Sequence, residues 1–289
     1  MTVTELVTLL AQVSGLLFVV CSMLAMGMSF TVGQIVEPLK NPRLVIMALL
    51  GNFVLVPLLA YGITYVIPLD DALRTGVIIL GCAAGAPFLI KEVQIAKGNL
   101  ALGVGMMFLL MIATIIFMPI VLPLLLPGAE VNAWDLAKSL IVSMALPLVI
   151  GLIVKSYLEE DAARWSELMN KISGLAMLIF LVIAMGLNIP NIIDLIGSFG
   201  FLALFVLVLG AILIGYLLGG RDSGMRNVMV LGTAQRNIAA AILVTALNFS
   251  DTPTLPYILA GSIILPVILI PTARILGGRG AQAEVNTGS

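Results

Sequence analysis

Gly81-Cys82-Ala83-Ala84-Gly85-Ala86-Pro87-Phe88-Leu89-Ile90-Lys91-Glu92 is an apolar, helix-like run that breaks and then carries charge. Its small residues let another backbone come close, and Pro87 removes an amide donor while steering Ala86 away from helical geometry. A break of this kind frees backbone N–H and C=O groups. Hydrocarbon offers them no water, so the break persists only inside protein or beside an aqueous cavity. Lys91 and Glu92 follow at once. A charge at the centre of a bilayer costs about 3 kcal/mol, so this pair must face a partner or a cavity.

A second stretch, Gly232-Thr233-Ala234-Gln235-Arg236-Asn237, interrupts the apolar run Val228 to Leu247 in the same manner. Two interrupted spans at corresponding places in two halves of a chain point to a transporter binding site.

The surrounding composition is that of a membrane protein. Of the 289 residues, 61% are hydrophobic and only 10% charged, against roughly 25% charged in soluble domains. A net charge of −1 without a basic stripe excludes a nucleic-acid binder. Cys21 and Cys82 sit in apolar runs as reduced core residues, and two thiols without any histidine make no zinc site. The N-terminus lacks a basic region and its apolar run is too long for a signal peptide, so it is read as a helix of the mature protein.

Cutting the hydrophobic runs at charged, Gly or Pro interruptions predicts an all-α membrane protein with nine transmembrane segments. They cover about Leu6 to Ser29, Leu44 to Ile67, Leu73 to Ala96, Leu100 to Leu126, Leu136 to Tyr157, Leu168 to Leu187, Phe199 to Leu218, Asn227 to Leu247 and Leu255 to Leu276. The small, polar stretch 277–289 is expected to be a disordered cytoplasmic tail. Lys40, Arg43, Lys97, Lys155, Arg164, Lys171, Arg221, Arg226, Arg274 and Arg279 fall at one set of alternating ends, and the opposite set has chiefly Arg74 and Lys138. The positive-inside rule makes the first set cytoplasmic, with the N-terminus outside and the C-terminus inside; in a bacterium the membrane would be the inner one. Acidic outer connections at Asp70-Asp71, Glu130 to Asp135, Asp194 and Asp251 agree. Tyr65, Trp134, Tyr157 and Trp165 suit interfacial anchors. The first four segments pair with the last four at an offset of about 154 to 162 residues, leaving the fifth between them. That order gives the second set inverted topology.

Lys91, Glu92 and Arg236 are the charges deepest in these spans. On a continuous helix Lys91 and Glu92 point about 100° apart and cannot pair with each other. Crossing of the two broken helices would let Glu92 meet Arg236, leaving Lys91 or one guanidinium edge for an anion; planar guanidinium donors suit a carboxylate. The alternatives are a closed Lys-Glu-Arg cluster that only holds the crossing together, and a Lys91 that is merely interfacial. The predicted substrate contacts are thus Lys91, Glu92, Arg236, Asn237, Pro87 and Thr233. Asn52, Gln94 and Gln235 are neutral groups suited to ion binding, each with the alternative of bonding neighbouring helix backbone.

With these stretches in view, the chain resembles the bile acid:sodium symporter family and its wider bile/arsenite/riboflavin transporter superfamily. The matching residues are Met26-Gly27-Met28, Gly51-Asn52-Phe53 through Pro57, Gly81 through Asn99 continuing to Leu102, and Gly232 to Ala241. The resemblance implies two inverted repeats, a panel domain, and a core domain in which two discontinuous helices cross at mid-membrane. Residues 1–133 would form the first repeat, with panel helix 6–29 and core helices 44–126. Residues 134–276 would form the second, with panel helices 136–187 and core helices 199–276. Sodium-coupled members carry a Ser-Asn pair that falls here on Leu89 and Ile90, a Ser and Thr that fall on Gly103 and Met107, and a Glu that falls on Leu231. Their second-crossover Gln is kept as Gln235, and another Gln becomes Asn52. A cation site without an anionic ligand binds weakly.

The resulting expectation is a secondary transporter of a small organic anion, working by alternating access and not classically sodium-coupled, with no cofactor and with H+ or Na+ as candidate coupling ions. The alternative is a Na+-coupled symporter of a bile acid-like anion. From another class, a channel or non-transporting membrane sensor remains. An intramembrane enzyme needs a nucleophile or acid pair at depth, and Glu92 is the lone buried acid.

Overall fold

The computed structural model describes residues 3–126, 132–187, 198–249 and 254–287, together with Ile189, Pro190, Ile193 and Leu195. Glu130, Asp194 and Asp251 of the expected acidic connections lie outside the described residues. Among the described residues every extended element is a helix, and seven helices are long and apolar enough to cross a membrane. This is an integral, multi-pass membrane protein.

In chain order these are α1 (Val3–Ser29), a short α2 (Val32–Val36), α3 (Pro42–Val66), α4 (Asp71–Cys82), α5 (Phe88–Ile95), α6 (Leu100–Leu125), α7 (Ala133–Tyr157), α8 (Glu159–Leu187), α9 (Gly200–Leu218), α10 (Ser223–Ala234), α11 (Ile238–Asn248) and α12 (Thr254–Thr287). Seven of the nine expected segments are the continuous spans. The third and eighth are split into α4/α5 and α10/α11, at the interruptions read from sequence. The last helix continues to Thr287, through the stretch expected to be disordered; Ala281, Ala283 and Glu284 are good helix formers there.

Asn and Asp side chains start half of these helices. Asn41, Asp70, Asn99, Asp222 and Asn237 each accept a backbone N–H in the first turn, satisfying a donor that has no partner within its own helix. In α3 and α7 a π-helical turn, Gly51–Leu55 and Ile141–Ala145, ends just before Pro57 and Pro147. The extra residue in that turn accommodates the missing proline amide without ending the helix.

Two sets of helices emerge from the packing. α1 lies against α7 and α8. Its contact with α8 is a ladder of hydroxyls: Ser22 Oγ lies 2.6 Å from Ser173 Oγ and Ser29 Oγ 2.7 Å from Ser166 Oγ, while Ser166 and Ser173 also donate to the carbonyls of Ala25 and Phe18. Its contact with α7 is backbone on backbone. A Cβ on Gly27 would stand 2.2 Å from the Leu148 carbonyl, and one on Gly151 would stand 2.5 Å from the Leu24 carbonyl. Small residues and interhelical hydroxyl bonds are the usual substitutes for the hydrophobic effect between helices in lipid. The other set is built on α3, α4, α5, α6, α9, α10 and α12, packed around the two breaks. Between the sets, α6 and α7 flank a crevice of about 460 Å³ lined by apolar residues such as Phe108, Ile112, Leu148 and Leu152.

Tyr65, Trp134, Tyr157 and Trp165 are exposed, as interfacial anchors require, and both cysteines are buried and free.

Replacing Gly151 by Val forces α1 and α7 apart, because the obstructing atoms are backbone. Thermal unfolding in detergent should show a loss of about 2 kcal/mol, whereas Gly174→Val, at a position with open space, should unfold like the parent.

Candidate functional site

The two interruptions meet each other. Helix α4 ends at Cys82, Ala83 is extended (φ −90°, ψ 96°), Gly85 takes the left-handed conformation (φ 75°), and Pro87 caps α5. Helix α10 ends at Ala234, Gln235 is extended, and Asn237 caps α11. Ala84 and Arg236 pair as an isolated antiparallel bridge. The Asn237 amide donates to the Ala83 carbonyl at 2.9 Å, and its side-chain Nδ2 donates to the Gly85 carbonyl at 2.8 Å. From α6, the Thr114 hydroxyl accepts from the Ala84 amide at 3.0 Å and donates to the Ala84 carbonyl at 2.9 Å. Each bond answers a backbone group that the breaks release, as buried polar groups demand.

Gly85 is required here for two reasons. Its φ disfavours any side chain, and a Cβ would stand 2.2 Å from the Met111 backbone nitrogen.

Arg236 is the largest fully buried side chain among the described residues, with 1% of its surface exposed. Nη2 donates to Asn52 Oδ1 at 2.6 Å and to the Thr233 carbonyl, and Nη1 donates to the Gly81 carbonyl at 3.4 Å. Gly81 and Thr233 belong to the last turns of α4 and α10. The guanidinium therefore sits on the carbonyl ends of two helices, where the helix dipole favours positive charge. Asn52 reaches it from the π-helical turn of α3, where its own Nδ2 is held by the Ala48 carbonyl at 3.0 Å and its Oδ1 is left to accept.

Glu92 does not join this arrangement. The described residues contain three ion pairs, Lys40–Glu37, Lys155–Glu159 and Lys171–Glu167, and none includes Glu92, Lys91 or Arg236. The expected Glu92–Arg236 contact is absent because the guanidinium folds back to the helix ends beside it. Glu92 meanwhile lies five residues along α5 from Pro87, about 7 Å of helix rise. Its carboxyl is fully buried, and neither oxygen has a hydrogen-bond partner among the described residues.

The remaining candidates divide by exposure. Thr233, Gln235 and Asn237 are buried at the second break, and the Thr233 hydroxyl and Gln235 Oε1 have no hydrogen-bond partner among the described residues. Pro87, Lys91 and Gln94 are exposed on one face of α5, opposite the face that buries Leu89, Glu92 and Val93. Gln94 is thus separated from Asn52 and Gln235, with which it was grouped by sequence. Thr114 and the Gly81 carbonyl escaped the sequence reading. The signal for Thr114 was a lone hydroxyl in the apolar run Leu100–Leu125, the same kind of signal that singled out Asn52.

The Sodium Bile acid symporter family matches residues 16–195. The chain belongs to that family of transporters. It is similar to YocS of Bacillus subtilis (strain 168), described as an uncharacterized sodium-dependent transporter, with 26% identity over 81% of this chain and 74% of that one. It is also similar to the probable chloroplastic sodium/metabolite cotransporters BASS2 of Oryza sativa subsp. japonica and BASS1 of Arabidopsis thaliana. The identities are 29% over 49% of this chain and 34% of BASS2, and 26% over 78% of this chain and 57% of BASS1. The chain thus spans about a third and just over half of these two plant relatives.

Thr114→Val keeps the volume and removes the hydroxyl, leaving the buried Ala84 amide without its partner and the Ala84 carbonyl with only the long 3.5 Å bond from Asn237 Nδ2. Unfolding measurements should show a loss of about 2 kcal/mol, with Thr114→Ser close to the parent. Gly85→Ala should be at least as damaging.

Proposed function

We propose that this protein is a secondary transporter of a small organic anion, binding its substrate where the two broken helices cross and exposing that site to each side of the membrane in turn. The observation that carries this reading is the exposed, polar face of α5. Lys91 lies four residues from Pro87, about 6 Å of helix rise from the crossing, and Gln94 continues the same face. A bilayer core is about 30 Å thick, so a crossing at its middle puts Lys91 well inside the hydrocarbon region. Exposed side chains along the middle and end of α6 are apolar, with Ile112, Ile116, Ile120 and Leu124 among them. A lysine and a glutamine exposed at that depth belong in water. The Pro87–Lys91–Gln94 face therefore lines an aqueous vestibule leading to the crossing from the cytoplasmic side.

The chemistry of the vestibule suits an anion. Lys91 supplies a mobile charge at its wall, and the N-terminal ends of α5 and α11, with Pro87 and Asn237, present the positive ends of helix dipoles at its floor. Arg236 and Thr233 shape that floor from beneath, with Glu92 behind α5. Alternating access follows if α1, α7 and α8 act as a panel and the helices around the crossing as a core. Their contact along α6 and α7 is apolar and holds a crevice, so one set can move against the other without breaking polar bonds. The reading counts nine crossings in two inverted halves, with the N-terminus outside, the C-terminus cytoplasmic, and no enzymatic step. A Na+-coupled anion symporter is the second reading, favoured by the sodium in the names of the relatives.

Proteoliposome counterflow with a panel of small mono- and dicarboxylates tests the proposal: saturable exchange of at least one is expected, and only linear, non-saturating flux would indicate a channel. Lys91→Gln should raise the KM for that anion on the order of tenfold while leaving the unfolding temperature unchanged. Cysteine at position 91 should react with a charged, membrane-impermeant thiol reagent from the cytoplasmic side; failure to react would remove the vestibule.

A further inference from the structure

We propose that the Arg236 guanidinium is the resident cation of the helix crossing, standing on the oxygens that a monovalent coupling ion would otherwise bind, so that Na+ is not part of the transport cycle. The inference rests on the transporter reading and deepens it.

Half-helix carbonyl ends and unwound backbone are the groups that coordinate Na+ in transporters with broken helices. In this protein both carbonyl ends are already taken. Gly81, in the last turn of α4, and Thr233, in the last turn of α10, give their carbonyls to Arg236, and Asn52 gives Oδ1. The Asn52 amide orientation is set by its bond to Ala48, so its oxygen faces the crossing whether or not the guanidinium is there. Three oxygens from three separate helices converge on one positive group. That group is buried with no carboxylate paired to it among the described residues, so its charge is balanced by backbone and amide dipoles alone. A sodium ion in the same cage would meet a like charge at contact distance without any anionic ligand to offset it.

Two further oxygens make the cage latent. The Thr233 hydroxyl, in the last turn of α10, and Gln235 Oε1, next to Arg236 in the chain, are buried and without hydrogen-bond partners among the described residues. With the Gly81 and Thr233 carbonyls and Asn52 Oδ1, they are the kind of neutral oxygen set a hard monovalent cation accepts. A shorter neutral residue at position 236 frees that set. The substitution should then convert a sodium-indifferent protein into a sodium-binding one.

The test compares unfolding temperatures of the purified full chain in NaCl and in choline chloride at equal ionic strength, for the parent, Arg236→Asn, Arg236→Gln and Arg236→Lys. The parent and Arg236→Lys should unfold alike in the two salts. Arg236→Asn or Arg236→Gln should be raised by about 3 °C in NaCl over choline chloride, or be recoverable from membranes only when NaCl is present. Sodium-specific stabilisation of the parent overturns the proposal. So does a folded Arg236→Asn that is indifferent to Na+, and so does failure of both neutral variants to fold in either salt, since sodium then does not replace the guanidinium. Because the readout is binding, a parent that is indifferent to Na+ and also moves no carboxylate would refute the anion-transport reading while leaving the guanidinium's occupation of the oxygen cage intact.

Discussion

Two helix breaks inside a membrane protein leave amides and carbonyls that lipid will not solvate, and in this chain the two breaks are each other's solvent. The bridge between Ala84 and Arg236, the Asn237 bonds to the Ala83 and Gly85 carbonyls, and the double bond between Thr114 and Ala84 together satisfy the extended residues of the first break. Neither interruption is tolerable alone. The requirement that they meet dictates much of the surrounding sequence: glycine at 85 for φ and clearance against α6, and the close seating of Gly81 against Ala60 and of Gly232 against Met106.

The same convergence creates an electrostatic problem that Arg236 answers. Bringing the carbonyl ends of α4 and α10 together concentrates partial negative charge in a place without water. A buried guanidinium with planar donors can serve several acceptors at once, which a lysine's point charge does less well. Asn52 completes the ring of acceptors because a π-helical turn, placed ahead of Pro57, rotates it inward. Charge neutralisation at the crossing is thus done by backbone geometry, and Glu92 is released from the pairing that its proximity in charge pattern suggested.

Around this fixed point the molecule keeps two kinds of helix contact. Serine ladders and glycine seats bind α1 to α7 and α8 through polar groups and close backbones. The contact of α6 with α7 is apolar and loosely filled. Polar contacts of the first kind are specific in register and costly to shift, whereas apolar contacts fix no hydrogen-bond register.

Much of this was legible in the sequence. Hydrophobic run length located the seven continuous spans, since crossing a bilayer demands about twenty apolar residues whatever the tertiary fold. Proline, glycine and charge inside otherwise apolar runs located both breaks, because local backbone chemistry forces them. Partner choice was not legible. Arg236 turning to Gly81 and Thr233 instead of Glu92, Thr114 reaching Ala84, and Lys91 and Gln94 facing outward while Glu92 faces in all depend on how helices far apart in the chain rotate against one another. A hydrogen-bonding residue in a membrane span announces by its type that it needs a partner, but any of several acceptors would satisfy that need equally well in sequence, and only the packed arrangement of helices brings one of them within reach.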